Sequence, residues 1–86
     1  MSVKLTTGQQ AVLGAFSALP RPVPDAALVP YVQHVSGARL SSSGVRSRRS
    51  ELERAGLVIQ TGEVTMPSGR KAGLFGLTPA GRRAAR

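Results

Sequence analysis

The pattern of apolar residues changes at Gly56, and this change constrains the fold more strongly than any other feature of the sequence. Before Gly56, apolar residues recur at intervals of three and four, which indicates amphipathic helices. After it, short β-type runs alternate with turn residues, which indicates a hairpin. A chain of 86 residues forms one domain and needs nearly every element for its core. We therefore predict a single α+β domain over residues 1–86.

The first helix is predicted between Thr6 and Leu19. Thr7 and Gln10 have the T-x-x-Q spacing of a capping box, in which each side chain satisfies a free amide at the helix start. The proline-rich segment 20–24 ends this helix, because proline has no amide hydrogen to donate.

A second helix is predicted from Asp25, as its N-cap, to Val35. Pro30 leaves the start open: with a start at Asp25 it removes a hydrogen bond in the second turn, and with a start at Val29 it takes the favoured first position. We expect a short or kinked helix that ends at Gly37, because glycine readily adopts the left-handed backbone of a helix C-terminus.

The third helix is predicted from Gly44 to Ala55, with three serines before it as caps and Gly56 after it. A rotation of about 100° per residue puts Val45 and Leu52 on the inner line of this helix. The opposite arc carries short hydroxyl side chains and arginines, with Glu51 at its margin: Ser43, Arg46, Ser47, Ser50 and Arg54.

A β-hairpin is predicted over about residues 57–77, with its first strand in two runs separated by Thr61-Gly62-Glu63. Residues 67–71 form a turn with a basic tip. Thr78-Pro79 has the cap-then-proline order of a helix start, so a short basic helix follows as far as Arg86.

The charge of the chain is concentrated in its second half. Twelve bases and four acids give a formal net charge of +8. Residues 39–86 hold ten of these bases and three of these acids, a net +7, and residues 1–38 hold the other two bases and one acid, a net +1. Such a distribution is typical of a protein that binds a polyanion. The alternative interpretation is that the basic composition only reflects a GC-rich genome.

Several functional classes have no support in the sequence. The absence of cysteine excludes disulfides and cysteine-ligated metal sites, and the glycines match neither a P-loop nor a dinucleotide fingerprint. The single histidine, His34, has no cysteine or acid nearby and is expected at the surface or in an interface. We expect no enzyme activity, no cofactor and no metal.

The location of the protein is also predicted from what the sequence lacks. No apolar run approaches the roughly 20 residues that span a bilayer, and the first residues do not resemble a secretory signal. We therefore expect a cytoplasmic protein.

The order of the helices, with a glycine-containing turn before the third, is that of a helix-turn-helix. The third helix would then enter the major groove with its N-terminal half. This half presents Ser42, Ser43, Arg46, Ser47 and Ser50. We predict that Arg46 reads a guanine edge, because guanidinium forks onto O6 and N7, and that Ser47 and Ser50 make lesser contacts.

Three further arginines of this helix, Arg48, Arg49 and Arg54, are predicted to contact phosphates, which position a protein without specifying sequence. For Arg48 and Arg49 an alternative is open. Their stems would cover the edge of the core while their charges pair with Glu51 and Glu53 at helical spacing.

The hairpin tip supplies a second predicted contact. Arg70 and Lys71 lie on a flexible turn, which suits a side arm on a phosphate backbone or in a narrow minor groove. The arginines near the C-terminus, Arg82, Arg83 and Arg86, add phosphate contacts or form a solvated tail.

The stretch from Leu40 to Val58 resembles the recognition helix of winged helix-turn-helix proteins, through Arg46-x-Arg48-Arg49-x-Glu51-Leu52 and then Ala55-Gly56-Leu57-Val58. Residues 67–71 and 77–82 are similar to the wing and the closing segment of small members encoded by actinobacterial phages and prophages. This resemblance covers roughly residues 5–82. It implies a three-helix core with a β-hairpin wing, a recognition helix at about 43–55, and sequence-specific binding of double-stranded DNA by a transcriptional regulator.

The sequence has neither an effector domain nor a long dimerisation helix, so we expect a monomer or a weak dimer on DNA. Two other functions remain open. One is non-specific architectural DNA binding, or a recombination accessory role, through the same surface. The other is an interaction with a host protein through His34, Tyr31 and the loop 20–24.

Overall fold

The computed structural model describes residues 4–19, 21–35 and 39–85. Pro20, Gly37 and Arg86, which carried predictions above, lie outside these residues. The elements are α1 (Thr7–Ala18), α2 (Asp25–Val35), α3 (Ser42–Arg54), β1 (Val58–Thr65), β2 (Lys71–Leu77) and α4 (Pro79–Ala84). The predicted α+β class is confirmed, with three helices, an antiparallel hairpin and a short final helix.

The capping box of α1 lies one residue earlier than predicted, so the prediction of Thr7 and Gln10 is wrong. The Gln9 amide donates to Thr6 Oγ1 at 3.2 Å, and the Thr6 amide donates to Gln9 Oε1 at 2.9 Å. Two consecutive threonines and two consecutive glutamines make both registers possible in the sequence. In the observed one, Gln9 also reaches α3, where its Nε2 donates to Glu51 Oε1 at 2.9 Å.

The second helix follows the earlier of its two predicted starts, since α2 begins at Asp25 and continues through Pro30 for 11 residues. The prediction of Asp25 as the N-cap is wrong. The carbonyl of Pro24 accepts hydrogen bonds of 3.0 and 3.1 Å from the amides three and four residues on. Asp25 is in the first turn, and its carboxylate binds Arg49 of α3 instead of a backbone amide.

The third helix has well-defined ends. Ser41 is its N-cap, with Oγ accepting from the Gly44 amide at 3.0 Å. Ala55 is its C-cap, and Gly56 follows with a left-handed φ of +79°. The predicted glycine stop is therefore confirmed, and the helix begins two residues before the predicted Gly44.

The hairpin strands pair along their whole length, and residues 61–63 belong to β1 instead of separating two runs. The register shifts between Gln60 and Gly62, so Thr61 is accommodated as a bulge. At the tip, the Met66 amide donates to the Arg70 carbonyl at 2.7 Å.

Two sets of hydrogen bonds attach the hairpin to the helical part. Val23 pairs with Phe75 through two backbone hydrogen bonds of 2.9 Å. At the hairpin base, Thr78 caps α4 and donates through Oγ1 to the Gly56 carbonyl at 2.6 Å. The hairpin is thereby held at the end of α3.

The core contains apolar side chains from α1, α2, α3 and the hairpin. It consists of Val12, Leu13, Ala15, Phe16, Leu28, Val29, Val32, Val45, Leu52, Leu57, Val58 and Phe75, and no polar or charged residue is buried within the described ranges. Val45 and Leu52 are fully buried, as their spacing predicts. They fix the rotation of α3 and leave its opposite face toward solvent.

Candidate nucleic-acid interface

The outer face of α3 is formed by hydroxyl side chains and Arg46. Arg46 and Ser47 are exposed, and Ser50 is half-buried. In the first turn, Ser42 and Ser43 are exposed as well. The face that the sequence predicts for DNA is therefore open to a ligand.

Arg49 lies between α2, α3 and the hairpin. Its Nε and Nη2 donate to the two carboxylate oxygens of Asp25 at 3.0 and 2.6 Å, and its Nη1 donates to Glu53 Oε1 at 3.1 Å. Its guanidinium carbon is 4.0 Å from the centroid of the Phe75 ring. Only 15% of the side chain is exposed, and the hydrogen bond to Asp25 is the main cause that raises the pKa of Arg49.

These contacts occupy the guanidinium of Arg49 and match the alternative interpretation, in which it lies at the core edge and is paired with acids. Glu53 was an expected partner. Asp25, which lies 24 residues earlier in the chain, was not.

Arg48 pairs with Glu51, the residue through which α3 is hydrogen-bonded to α1. Its Nε is 2.8 Å from Glu51 Oε1, and its Nη2 donates to Glu51 Oε2 at 3.0 Å. Glu51 also accepts the hydrogen bond from Gln9. This bond first, and Arg48 second, lower the pKa of Glu51 below its ordinary value.

Four cations of α3 and the hairpin are exposed and make no ion pair with the described residues: Arg46, Arg54, Arg70 and Lys71. A fifth, Arg39, is exposed just before the cap of α3. Arg39 is not among the residues predicted to contact DNA, although a charged residue two positions before a capping serine is a usable signal for a backbone contact at the helix N-terminus.

A groove of about 370 Å³ lies between α3 and the hairpin tip. Arg46 lines it from α3, Arg70 and Lys71 line it from the hairpin, and the Asp25–Arg49 pair lies between them. The structure thus brings the predicted base-reading arginine and the two predicted tip cations to one groove. The other predicted residues of α3 do not line it: Ser42, Ser43, Ser47, Arg48, Ser50 and Arg54.

The remaining residues singled out from the sequence lie elsewhere. Arg82 and Arg83 are exposed on α4, His34 is exposed on α2, and Tyr31 packs against the core. No cluster of three or more His, Cys, Asp or Glu side chains suited to a metal ion occurs in the part of the chain described here. Among the described residues, no helix is both long enough and apolar enough to cross a membrane.

Three helices, with the third presented beside an antiparallel hairpin, define a winged helix fold, in which the hairpin is the wing. A solved structure with this fold, a mutant of MepR from a multidrug-resistant S. aureus clinical isolate, is similar to the chain with a TM-score of 0.68 and 17% identity, over 95% of this chain and 54% of that one. The chain thus spans about half the length of MepR. No family model matches the sequence, and no curated protein matches it.

Proposed function

We propose that the chain binds double-stranded DNA in a sequence-specific manner and acts as a small transcriptional regulator of the phage type. One observation carries this proposal: the arginines of α3 are divided into two groups. Arg48 and Arg49 are paired with acids, whereas Arg46 is exposed and lines the groove with the wing cations.

In the proposed complex, α3 enters the major groove and Arg46 forks onto guanine O6 and N7. The exposed Ser47 contacts a neighbouring base edge, and Ser50 makes a lesser contact. The short side chains of Ser42 and Ser43 let the first turn approach the DNA closely. Their position at the N-terminus of a 13-residue helix also favours phosphate there, because the free amides and the helix dipole attract anions.

The wing makes the second contact. Arg70 and Lys71 are exposed at the tip, where they reach the phosphate backbone or a narrow minor groove. Arg39 and Arg54, at the two ends of α3, supply further phosphate contacts. In this proposal Arg49 holds α3 against α2, Arg48 is paired with Glu51 within α3, and neither contacts DNA.

The experiment that tests the proposal is selection of the purified protein on a random duplex library at near-physiological salt, followed by sequencing of the bound DNA. We expect an enriched motif. Arg46→Ala should reduce affinity for that motif by about 1–3 kcal/mol and remove the preference at one position. Arg54→Ala is the matched control from the same helix, and it should weaken binding evenly across sequences.

Each other outcome assigns a different function. Enrichment of no motif, together with a steep salt dependence, would favour an architectural or recombination accessory role. Binding no tighter than that of an unrelated protein of equal charge would refute the DNA proposal and direct the search to host proteins. The symmetry of an enriched motif would report the oligomeric state, since a dimer requires half-sites about 34–36 Å apart or a multiple of this spacing. We expect a single site or a weak dimer.

A further inference from the structure

A second cavity, of about 450 Å³, lies at the base of the hairpin. It is formed by the end of α1, the segment 21–22, both strands and Arg82 of α4, and none of its lining residues belongs to α3. Its volume is in the range of small-molecule sites, about 300–1,000 Å³. The cavity is therefore separate from the proposed DNA-binding groove and large enough for a ligand.

The walls of this cavity combine apolar surface with two cations. Phe16, Leu19 and Leu77 supply the apolar part, and Arg21 and Arg82 supply the charge. Both arginines are exposed, and neither makes an ion pair with the described residues.

The chain itself has no acidic side chain available for this cavity. It contains four acidic residues in all, and Asp25, Glu51 and Glu53 are bound to arginines of α3. The fourth, Glu63, does not line the cavity. Two arginines thus line a cavity of mixed polar and apolar surface that has no acidic side chain among its lining residues.

We propose that this cavity binds a small organic anion, with its carboxylate held by Arg21 and Arg82 and its apolar body against Phe16, Leu19 and Leu77. Guanidinium groups bind carboxylates through paired, charge-assisted hydrogen bonds. An aromatic or branched aliphatic body buries apolar surface that is otherwise hydrated. The two arginines disfavour a metal cation. A free phosphate would leave the apolar walls uncovered.

The test is a titration followed by amide chemical shifts, with benzoate as the probe and no DNA present. Benzamide is the neutral control of the same shape, and acetate is the anion without the apolar body. We expect saturable shifts at Thr61, Gly76 and Leu77 with a dissociation constant of about 1–10 mM, which is usual for a ligand of this size. Benzamide and acetate should each bind at least about tenfold more weakly, since each lacks one half of the recognition.

Variants of α4 separate a built site from general attraction to a basic protein. Arg82→Gln should weaken benzoate binding about tenfold. Arg83→Gln, which removes the same charge from the neighbouring residue outside the cavity, should change it less than about twofold. An unchanged, well-dispersed spectrum in each variant verifies that the fold is intact.

The proposal is overturned if the two variants weaken benzoate equally, if the shifts map to Arg46 and Arg70, or if benzamide binds as tightly as benzoate. Absence of any saturable shift also overturns it. Because no DNA is present, these results are independent of the proposed regulatory function. If Arg21→Gln and Arg82→Gln instead lower DNA affinity while benzoate fails to bind, the two arginines belong to the DNA contact.

Discussion

Arg49→Met tests whether the ion pair between α2 and α3 determines the stability of the domain. The substitution keeps most of the apolar stem and removes the guanidinium that contacts Asp25, Glu53 and Phe75. Breaking a buried ion pair from one side costs about 3–5 kcal/mol, and breaking an exposed one costs about 0–1 kcal/mol. With side chains 15% and 18% exposed, Arg49 and Asp25 are closer to the buried case.

The contact with the Phe75 ring adds about 0.5–1 kcal/mol, and the methionine recovers part of the packing. We therefore expect Arg49→Met to lower the free energy of unfolding by about 2–4 kcal/mol. A domain of this length is stable by about 4–13 kcal/mol, so the loss is a large fraction of the total. It corresponds to a fall in Tm of about 10–25 °C.

The assay is urea and thermal unfolding followed by far-ultraviolet circular dichroism. Arg54→Met is the matched control, because it removes the same charge from an exposed position of the same helix. It should change stability by less than about 0.5 kcal/mol. An Arg49→Met variant no less stable than Arg54→Met would show that the ion pair contributes nothing measurable.

A double-mutant cycle with Asp25→Asn isolates the pair itself. Arg49→Met alone leaves the Asp25 carboxylate half-buried without its partner, whereas the double variant removes both charges. We expect the double variant to lose less stability than the sum of the single losses, by about 1–3 kcal/mol. Additive losses would assign the effect to packing and refute the ion-pair argument.

The other predictions concern backbone packing, pH and salt. Gly81→Ala should lower the free energy of unfolding by at least about 1–3 kcal/mol, because the methyl group of the alanine would overlap the Leu57 carbonyl oxygen. Gly14→Ala should raise the free energy of unfolding by about 0.5–1 kcal/mol, because Gly14 is an exposed helical position with open space around it. The pKa of Glu51 is lower in the folded protein than in the unfolded chain. The contribution of Glu51 to the free energy of unfolding is therefore complete above its unfolded-state pKa, and it is lost as the pH falls through its folded-state pKa. Glu51→Gln should therefore flatten the stability profile below about pH 5 and leave its shape above about pH 6 unchanged, as urea unfolding across pH will show. Arg70→Ala should reduce the slope of log affinity for DNA against log salt by about one unit, measured by fluorescence anisotropy.

Local signals were sufficient for most of the fold. Val45 and Leu52 lie one heptad apart and are both fully buried, and Gly56 ends α3 with the left-handed backbone that its position predicts. The capping box of α1 was predicted one residue too late. The T-x-x-Q pattern occurs in two registers, and nothing in the local sequence favours one of them. The choice is tertiary, since only Gln9 also reaches Glu51.

The candidate site was less predictable than the fold. The grouping of Arg46 with Arg70 and Lys71 follows from the hairpin folding back beside α3, which the order of the elements indicates. The burial of Arg49 depends on Asp25, and a contact over 24 residues has no periodic signature in the sequence. The position of Asp25 after a proline-rich loop suits a helix cap. Without a signal for the contact with Arg49, Asp25 was predicted to have that role.

The distribution of acids determines which arginines of α3 are left for a ligand. Arg48 and Arg49 meet Glu51 and Glu53 at spacings of three and four, so their charges are neutralised against the protein. Arg46 and Arg54 are eight residues apart and therefore lie close to one face of the helix, with no acid in ion-pair contact among the described residues. A helix with a mixture of charges thus has one face that stabilises the fold and another whose positive charge is free for a ligand.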